Sequence, residues 1–299
     1  MKNLIIFTCL AGLSVVGPLQ MRADDAGSKS SQTPANSTPN TRYGLFNGLD
    51  HRSSYGQFFF PEPFLIDDSD LESRELRLDW LRTAKGSDHR DNARVELEYG
   101  VGVNTFELEV PYEREESDGS TTSGVGNIDL GVRRPFYQAV SRNGLLDTTF
   151  GAAIELGIPT TSDVSHNTEL VPKLFNDTRL GNFTLQSVLG YSLNFGPGEE
   201  GGMHAFEYGF VFGYVIPHET LSLPGIERLI PVAELKGETQ INKSDSGHNI
   251  LYGDVGVRLN LKSWHGIQAR PGIVFVFPLD AGARDESDWG IMTSLVFEF

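Results

Sequence analysis

The sequence predicts an all-β fold: a transmembrane antiparallel up-and-down β-barrel of about twelve strands, of the bacterial outer-membrane type. Three observations predict it: an N-terminus built like an export signal, long runs of period-two alternation, and polar connections that alternate with tight turns.

Lys2 supplies a positive start, and Leu4 to Val16 is an apolar run too short to cross a membrane as a helix. Residues 1–23 therefore read as a signal peptide, ending at Ala23 before Asp24 and Asp25. Cys9 lies inside the apolar run rather than after it, which argues against a lipoprotein anchor. Loss of Lys2 and Arg22 takes the formal charge from −16 to −18 and leaves no cysteine for disulfide or thiol chemistry. So acidic a chain is a poor ligand for nucleic acid or anionic head groups. Residues 24–42, rich in Ser, Thr, Asn, Pro and Gly, read as a flexible linker. Residues 43–70 form a preface with Phe58, Phe59, Phe60, Pro61, Pro63 and Phe64. It is too aromatic for simple disorder and is expected to pack as a plug or a periplasmic segment.

Strands occupy 71–299. In the last one Trp289, Ile291, Leu295, Phe297 and Phe299 share a face, while Gly290, Met292, Ser294 and Glu298 share the other. Before it, Ile267, Ala269, Ile273, Phe275, Phe277 and Leu279 oppose Gln268, Arg270 and Gly272. Further segments fall near 72–84, 92–101, 104–115, 125–137, 146–159, 168–177, 182–196, 203–217, 229–242 and 250–262. The 168–177 segment carries Pro172, and without it the count is odd and the topology fails. Connections near 85–91, 116–124, 160–167, 197–202, 243–248 and 280–287 are polar; most of the others are short, such as Gly102–Val103. With the C-terminus on the periplasmic side, all the polar connections fall outside.

A soluble β-sandwich shares the alternation, but its strands average about five or six residues, against about nine to eleven for a tilted membrane strand. Most segments here are of the longer kind. Trp80, Tyr99, Tyr112, Phe136, Phe195, Tyr214, Trp264 and Trp289 sit near strand ends, where interfacial aromatic belts belong. The polar face gathers Arg77, Asp79, Glu96, Glu98, Glu107, Glu109, Asp129, Arg133, Glu155, Glu207, Glu234, Lys236, Glu238, Asp254, Arg258, Arg270 and Glu298, which a membrane barrel turns to its lumen.

Leu97-Glu98-Tyr99-Gly100-Val101, Phe106 to Tyr112, Gly124 to Gly131 and Glu155-Leu156-Gly157-Ile158-Pro159-Thr160 are similar to the phenol-degradation meta-pathway family of outer-membrane barrels. The chain departs from that pattern after Pro159-Thr160, where Thr161, Ser162 and Asp163 replace the usual Gly-Asp. The ending Glu298–Phe299 resembles the terminal strand by which the barrel-assembly machinery receives its clients. The resemblance implies an outer-membrane location, a transporter-like role and lipid as a partner, with the solute unnamed.

No enzyme is expected. His51, His89, His166, His204, His218, His248 and His265 fall in loops, at strand edges or in the preface. Ser246-Gly247-His248-Asn249 reads as a hairpin tip, since adjacent residues rarely give Ser–His catalytic geometry. Asp67, Asp68, Asp70 and Glu72 lack the glycine and spacing of a calcium loop, and no cofactor motif is found. Glu96, Glu98, Glu107 and Glu109 should crowd one wall of the lumen, which then needs water, cations or basic partners. The expectation is a narrow channel or passive transporter for small polar, cationic or aromatic solutes. The alternative is a closed structural or partner-binding barrel without conduction.

Overall fold

The computed structural model describes residues 60–66, 74–101, 104–140, 145–198, 201–243 and 246–299. The expected signal peptide 1–23, the linker 24–42, most of the preface 43–70 and the acidic run Asp67, Asp68, Asp70 and Glu72 lie outside these residues.

In chain order the strands are β1 (Arg74–Lys85), β2 (Asp88–Val101), β3 (Asn104–Ser117), β4 (Ser120–Val125), β5 (Ile128–Val140), β6 (Leu146–Ile158) and β7 (Thr168–Leu180). They continue with β8 (Phe183–Phe195), β9 (His204–Tyr214), β10 (Ile216–Pro217), β11 (Ile226–Gln240), β12 (Asn249–Leu261), β13 (Gln268–Pro278) and β14 (Trp289–Glu298). Two short helices, α1 (His218–Leu221) and α2 (Ala281–Glu286), sit in connections. β4 and β5 are two halves of one stave interrupted at Gly126 and Asn127, and β10 continues the β9 stave by two residues, paired with β11 in the same register. Among the described residues this makes twelve antiparallel staves.

The sheet closes on itself. β14 pairs β1 from Glu75↔Glu298 to Ala84↔Trp289, so neither strand presents a free edge. In hydrocarbon an unpaired backbone group costs several kcal/mol, and closure removes that cost for every stave at once. Outward side chains match across strands: Leu76, Leu97, Leu108, Leu130, Leu156, Leu170 and Leu193 form one continuous oblique row. The eight aromatic residues expected near strand ends are all exposed on this outer surface. Trp80, Tyr112, Phe195 and Trp289 lie toward one end, and Tyr99, Phe136, Tyr214 and Trp264 toward the end that carries Phe299.

Pro172 does not break β7. The ladder to β6 runs through it, paired with Ile154, while the ladder to β8 skips from Leu170↔Leu193 to Lys173↔Gly190. A proline has no N–H to give, and the interruption on one side accommodates that loss. Pro135 on β5 has a different remedy, a register shift between Pro135 and Tyr137.

Two expected connections, 85–91 and 116–124, are corrected to strand on both sides of a tight turn. β3 and β4 stay paired from Tyr112↔Val125 to Ser117↔Ser120 around Asp118–Gly119. Both turn residues have positive φ, 50° and 75°, the combination a two-residue hairpin turn needs. β1 and β2 likewise pair down to Lys85↔Asp88 around Gly86 and Ser87. These extensions are polar on both faces, so no alternation marked them as strand.

The interior is not uniformly polar either. Phe175, Val188, Val211, Ile230, Val232, Val274, Val276 and Met292 form a buried apolar cluster against Phe64 and Ile66. The hydrophobic core of this molecule therefore lies inside the lumen, on the side of β7–β9, β11, β13 and β14.

Candidate functional site

The lumen contains a strap, Phe60–Ile66, and two walls of different character. The sequence places Pro61 and Pro63 in the strap, where they fix φ and remove N–H donors that a dry interior would have to satisfy, and the chain bends over Phe64–Ile66. Glu62, Phe64 and Ile66 are almost wholly buried. Ile66 packs over Gly209, Phe64 over Gly272 and Pro61 over Gly213; a Cβ at Gly272 would lie 2.5 Å from the Phe64 ring. Each of these glycines leaves room for a strap side chain.

Polar contacts then fix the strap. The Glu234 carboxylate accepts from the backbone N–H of Phe64 and of Leu65, each at 2.8 Å. Arg77 donates to the Pro63 carbonyl at 2.7 Å, and Arg258 donates to the Glu62 carbonyl at 2.9 Å and to that of Pro63 at 3.2 Å. Arg270 donates to the Glu62 carboxylate and to Glu298. The Arg258 guanidinium also lies 4.2 Å from the centre of the Phe64 ring, a cation–π contact.

A second stretch of wall, from β1 to β7, pairs charges strand to strand, with Arg77 on β1 belonging to both arrangements. Glu98 faces Glu107, and Glu96 faces Glu109, across β2 and β3. Like charges in opposed positions repel. Arg133 donates to both Glu98 and Glu107. Arg94 donates to Glu109 at 3.0 Å and to Asp79 at 2.5–2.9 Å, and Arg77 pairs with Asp79 at 2.7 Å. Lys173 donates to Glu155.

The residues assigned to the lumen from sequence fall as follows. Arg77, Asp79, Glu96, Glu98, Arg133, Glu234, Asp254, Arg258 and Arg270 are buried. Glu107, Glu109, Asp129, Glu155, Glu207, Glu238 and Glu298 are half-buried, and Lys236 is exposed along the rim of a cavity. Asp254 stands directly across from Glu234 on β12. Sequence reasoning missed Glu62, Glu75, Arg94 and Lys173. Arg94 shares the period-two phase of Glu96 and Glu98, and Glu75 that of Arg77, so the signal was present. Nothing local distinguishes Glu62.

Glu75, Glu96 and Glu98 place carboxylate oxygens within 4.8 Å of one another, close enough to hold a cation. Arg133 on Glu98, with Arg77 and Arg94 3.9 and 3.8 Å from Glu96, already supplies positive charge there. The Ser246 hydroxyl donates to the Ile241 carbonyl at 2.7 Å, while His248 packs beside Gly282.

Above the strap, away from Phe299, lies a cavity of about 560 Å3. Leu65 of the strap, with Leu81 and Val276, contributes to its lining. Asp88, Glu113, Glu115, Glu116, Glu238, Asp285 and Glu286 outnumber Lys85, Arg90 and Lys236 around it. α2 folds against this vestibule, with the Asp280 carboxylate accepting from the Ala283 N–H at 2.9 Å as its cap. Slight burial opposes ionisation of Asp280. Bonds from the N–H groups of Ala283 and Leu251 and from the Asn249 amide outweigh it and hold the carboxyl below its ordinary value.

The chain matches no protein-family model and no curated protein sequence. It does resemble solved structures. An outer-membrane channel from Pseudomonas putida F1 aligns at 14% identity over 78% of this chain and 100% of that one, with a TM-score of 0.51. The NanC porin aligns at 10% identity over 76% and 99%, with a TM-score of 0.44. The β domain of the Bordetella autotransporter BrkA aligns at 14% over 77% and 100%, also at 0.44. The likeness to the Pseudomonas protein, with the closed sheet and its outward apolar face, defines the fold as a β-barrel of the outer-membrane type.

Proposed function

We propose that the protein is an exported channel of the bacterial outer membrane, with Phe299 at the periplasmic end and the acidic vestibule outside. One observation carries this reading. The barrel wall surrounds an open-mouthed cavity of about 560 Å3, and a separate segment, not the wall, crosses the lumen beneath it. A channel needs a lumen of this kind, whereas a purely structural barrel could fill the same space with wall side chains. The excess of carboxylates around the vestibule favours small polar or cationic solutes. The sequence resemblance to the phenol-degradation meta-pathway barrels supports a transporter-like role and adds aromatic compounds as a solute class. Residues 1–23 serve as the signal peptide, and the terminal strand ending at Phe299 engages the barrel-assembly machinery.

Single-channel recordings in planar bilayers test the proposal. Purified, folded protein should give conductance steps, with potassium passing more readily than chloride. Absence of steps and of solute uptake into liposomes, in this protein and in its Phe64→Ala variant alike, would overturn it. The burial of Phe64 and Ile66 in the lumen favours a second reading, a barrel closed by its strap that binds a partner. Weakening the strap then decides: conductance that appears only after Phe64→Ala favours a channel closed at rest, and a silent variant favours the closed barrel.

A further inference from the structure

The side chains that hold the strap do so in an unusual way for a packing contact. Most of their bonds go to its backbone: two N–H groups to Glu234, and the carbonyls of Glu62 and Pro63 to Arg77 and Arg258. Two features read side chains. Arg270 takes the Glu62 carboxylate, and the space over Gly272 beneath the Arg258 guanidinium takes the Phe64 ring. Backbone bonds that fix direction, combined with pockets for particular side chains, are how peptide-binding proteins recognise short segments.

We infer that Arg77, Glu234, Arg258 and Arg270 form a binding site for a short peptide, bent at its aromatic residue, that carries a carboxylate and, two residues on, an aromatic ring. Glu62 to Leu65 is its resident, displaceable occupant. Three considerations support displacement. Every contact named is non-covalent and falls within residues 61–66. The wall closes through its own ladders without the strap, since β14 pairs β1 and β9 pairs β11 directly. The occupant also arrives with less entropy to lose, because Pro61 and Pro63 fix φ at two of its positions beforehand.

Charge specifies the class further. Arg77, Arg258 and Arg270 converge on one short segment whose only ionised side chain is Glu62. A neutral or basic peptide would leave Arg270 without the strap's share of its counter-charge, so acidic peptides are the class that fits. The inference rests on the channel reading for what it means in the membrane, while the binding itself can be measured apart from conduction.

The experiment uses the full-length protein with Glu62→Ala and Phe64→Ala in the strap, and Phe64→Ala alone should the double variant not fold. A fluorescent synthetic peptide of residues 60–66, Phe-Pro-Glu-Pro-Phe-Leu-Ile, is added to the detergent-solubilised protein and followed by anisotropy. Saturable binding is expected, weaker by about tenfold or more when the peptide's own glutamate is glutamine or when the barrel carries Glu234→Gln. A scrambled peptide that binds equally well, or a folded barrel that binds none, would overturn the site. In planar bilayers the same peptide should block the conductance of the strap variant. A variant that conducts and is not blocked overturns the site and leaves the channel reading standing. A variant that binds peptide and never conducts overturns the channel reading and supports the site.

Discussion

The wall formed by β1–β3 and β5–β7 and the wall that holds the strap both bury ionised groups, yet they satisfy them differently. On the first, Arg133 bridges Glu98 and Glu107, and Arg94 bridges Asp79 and Glu109, all within neighbouring staves. On the second, Arg258, Arg270 and Glu234, joined by Arg77 from β1, spend bonds on residues 62–65, outside the sheet. The first arrangement belongs to the folded barrel and persists as long as it does. The second depends on an occupant. Charge buried between staves contributes to holding the cylinder together, whereas charge turned to the strap makes the lumen's contents negotiable.

The sharpest way to break this contrast is to remove one ion from each wall. Arg133→Ala leaves Glu98 and Glu107 opposed without their shared counter-ion and should lower the unfolding free energy by about 3–5 kcal/mol, read by denaturant titration. The strap should stay in place in that variant. Glu234→Gln should do the reverse. It loses part of a charge-assisted clasp worth about 1.5–3 kcal/mol, which would raise strap release tenfold or more, read as open probability or as peptide binding. The unfolding midpoint should move little. Should Glu234→Gln unfold the barrel instead, the distinction between the two walls would fail.

Smaller effects sharpen the same point. Gly272→Ala puts a Cβ 2.5 Å from the Phe64 ring, and overpacking of this kind costs about 1–3 kcal/mol. The strain should appear as a loosened strap, seen as faster proteolysis near residues 60–66 with the barrel intact. Asp280→Ala removes the cap of α2 at a cost of about 1 kcal/mol and should loosen the vestibule rim in hydrogen exchange. Because Asp280 is held below its ordinary 3.8, its contribution is complete well above that pH and fades as pH falls through the lowered value. Glu115→Gln should change only the cation-to-anion permeability ratio, modestly and less at high salt, because exposed charge is screened within about 10 Å.

Much of the barrel was legible in the sequence because one period governs it. A strand in lipid must be apolar on every second residue, and Leu97, Leu108, Leu130 and Leu156 obey that without reference to one another. Even the Pro172 segment is found by its parity and by the need for an even count. The rule fails where lipid ends. In 85–91 and 116–124 both faces meet water, so Ser, Thr, Arg and Glu stand on either side and no alternation betrays the strand. It fails again inside, where Val211, Val274 and Met292 occupy lumen positions that the pattern reserves for polar groups, because the strap keeps them dry.

By itself, then, the sequence determined a stave count and an outward apolar face, since period and strand length are local properties. Which charges pair was decided only in three dimensions. Register places Glu98 opposite Glu107 and sets Arg133 opposite Thr105, diagonally next to Glu107, from where its guanidinium reaches both. The place of Glu62 was likewise beyond local reading. Its partners, Arg258 and Arg270, lie about two hundred residues downstream. Only the closing of the sheet around residues 60–66 makes them neighbours.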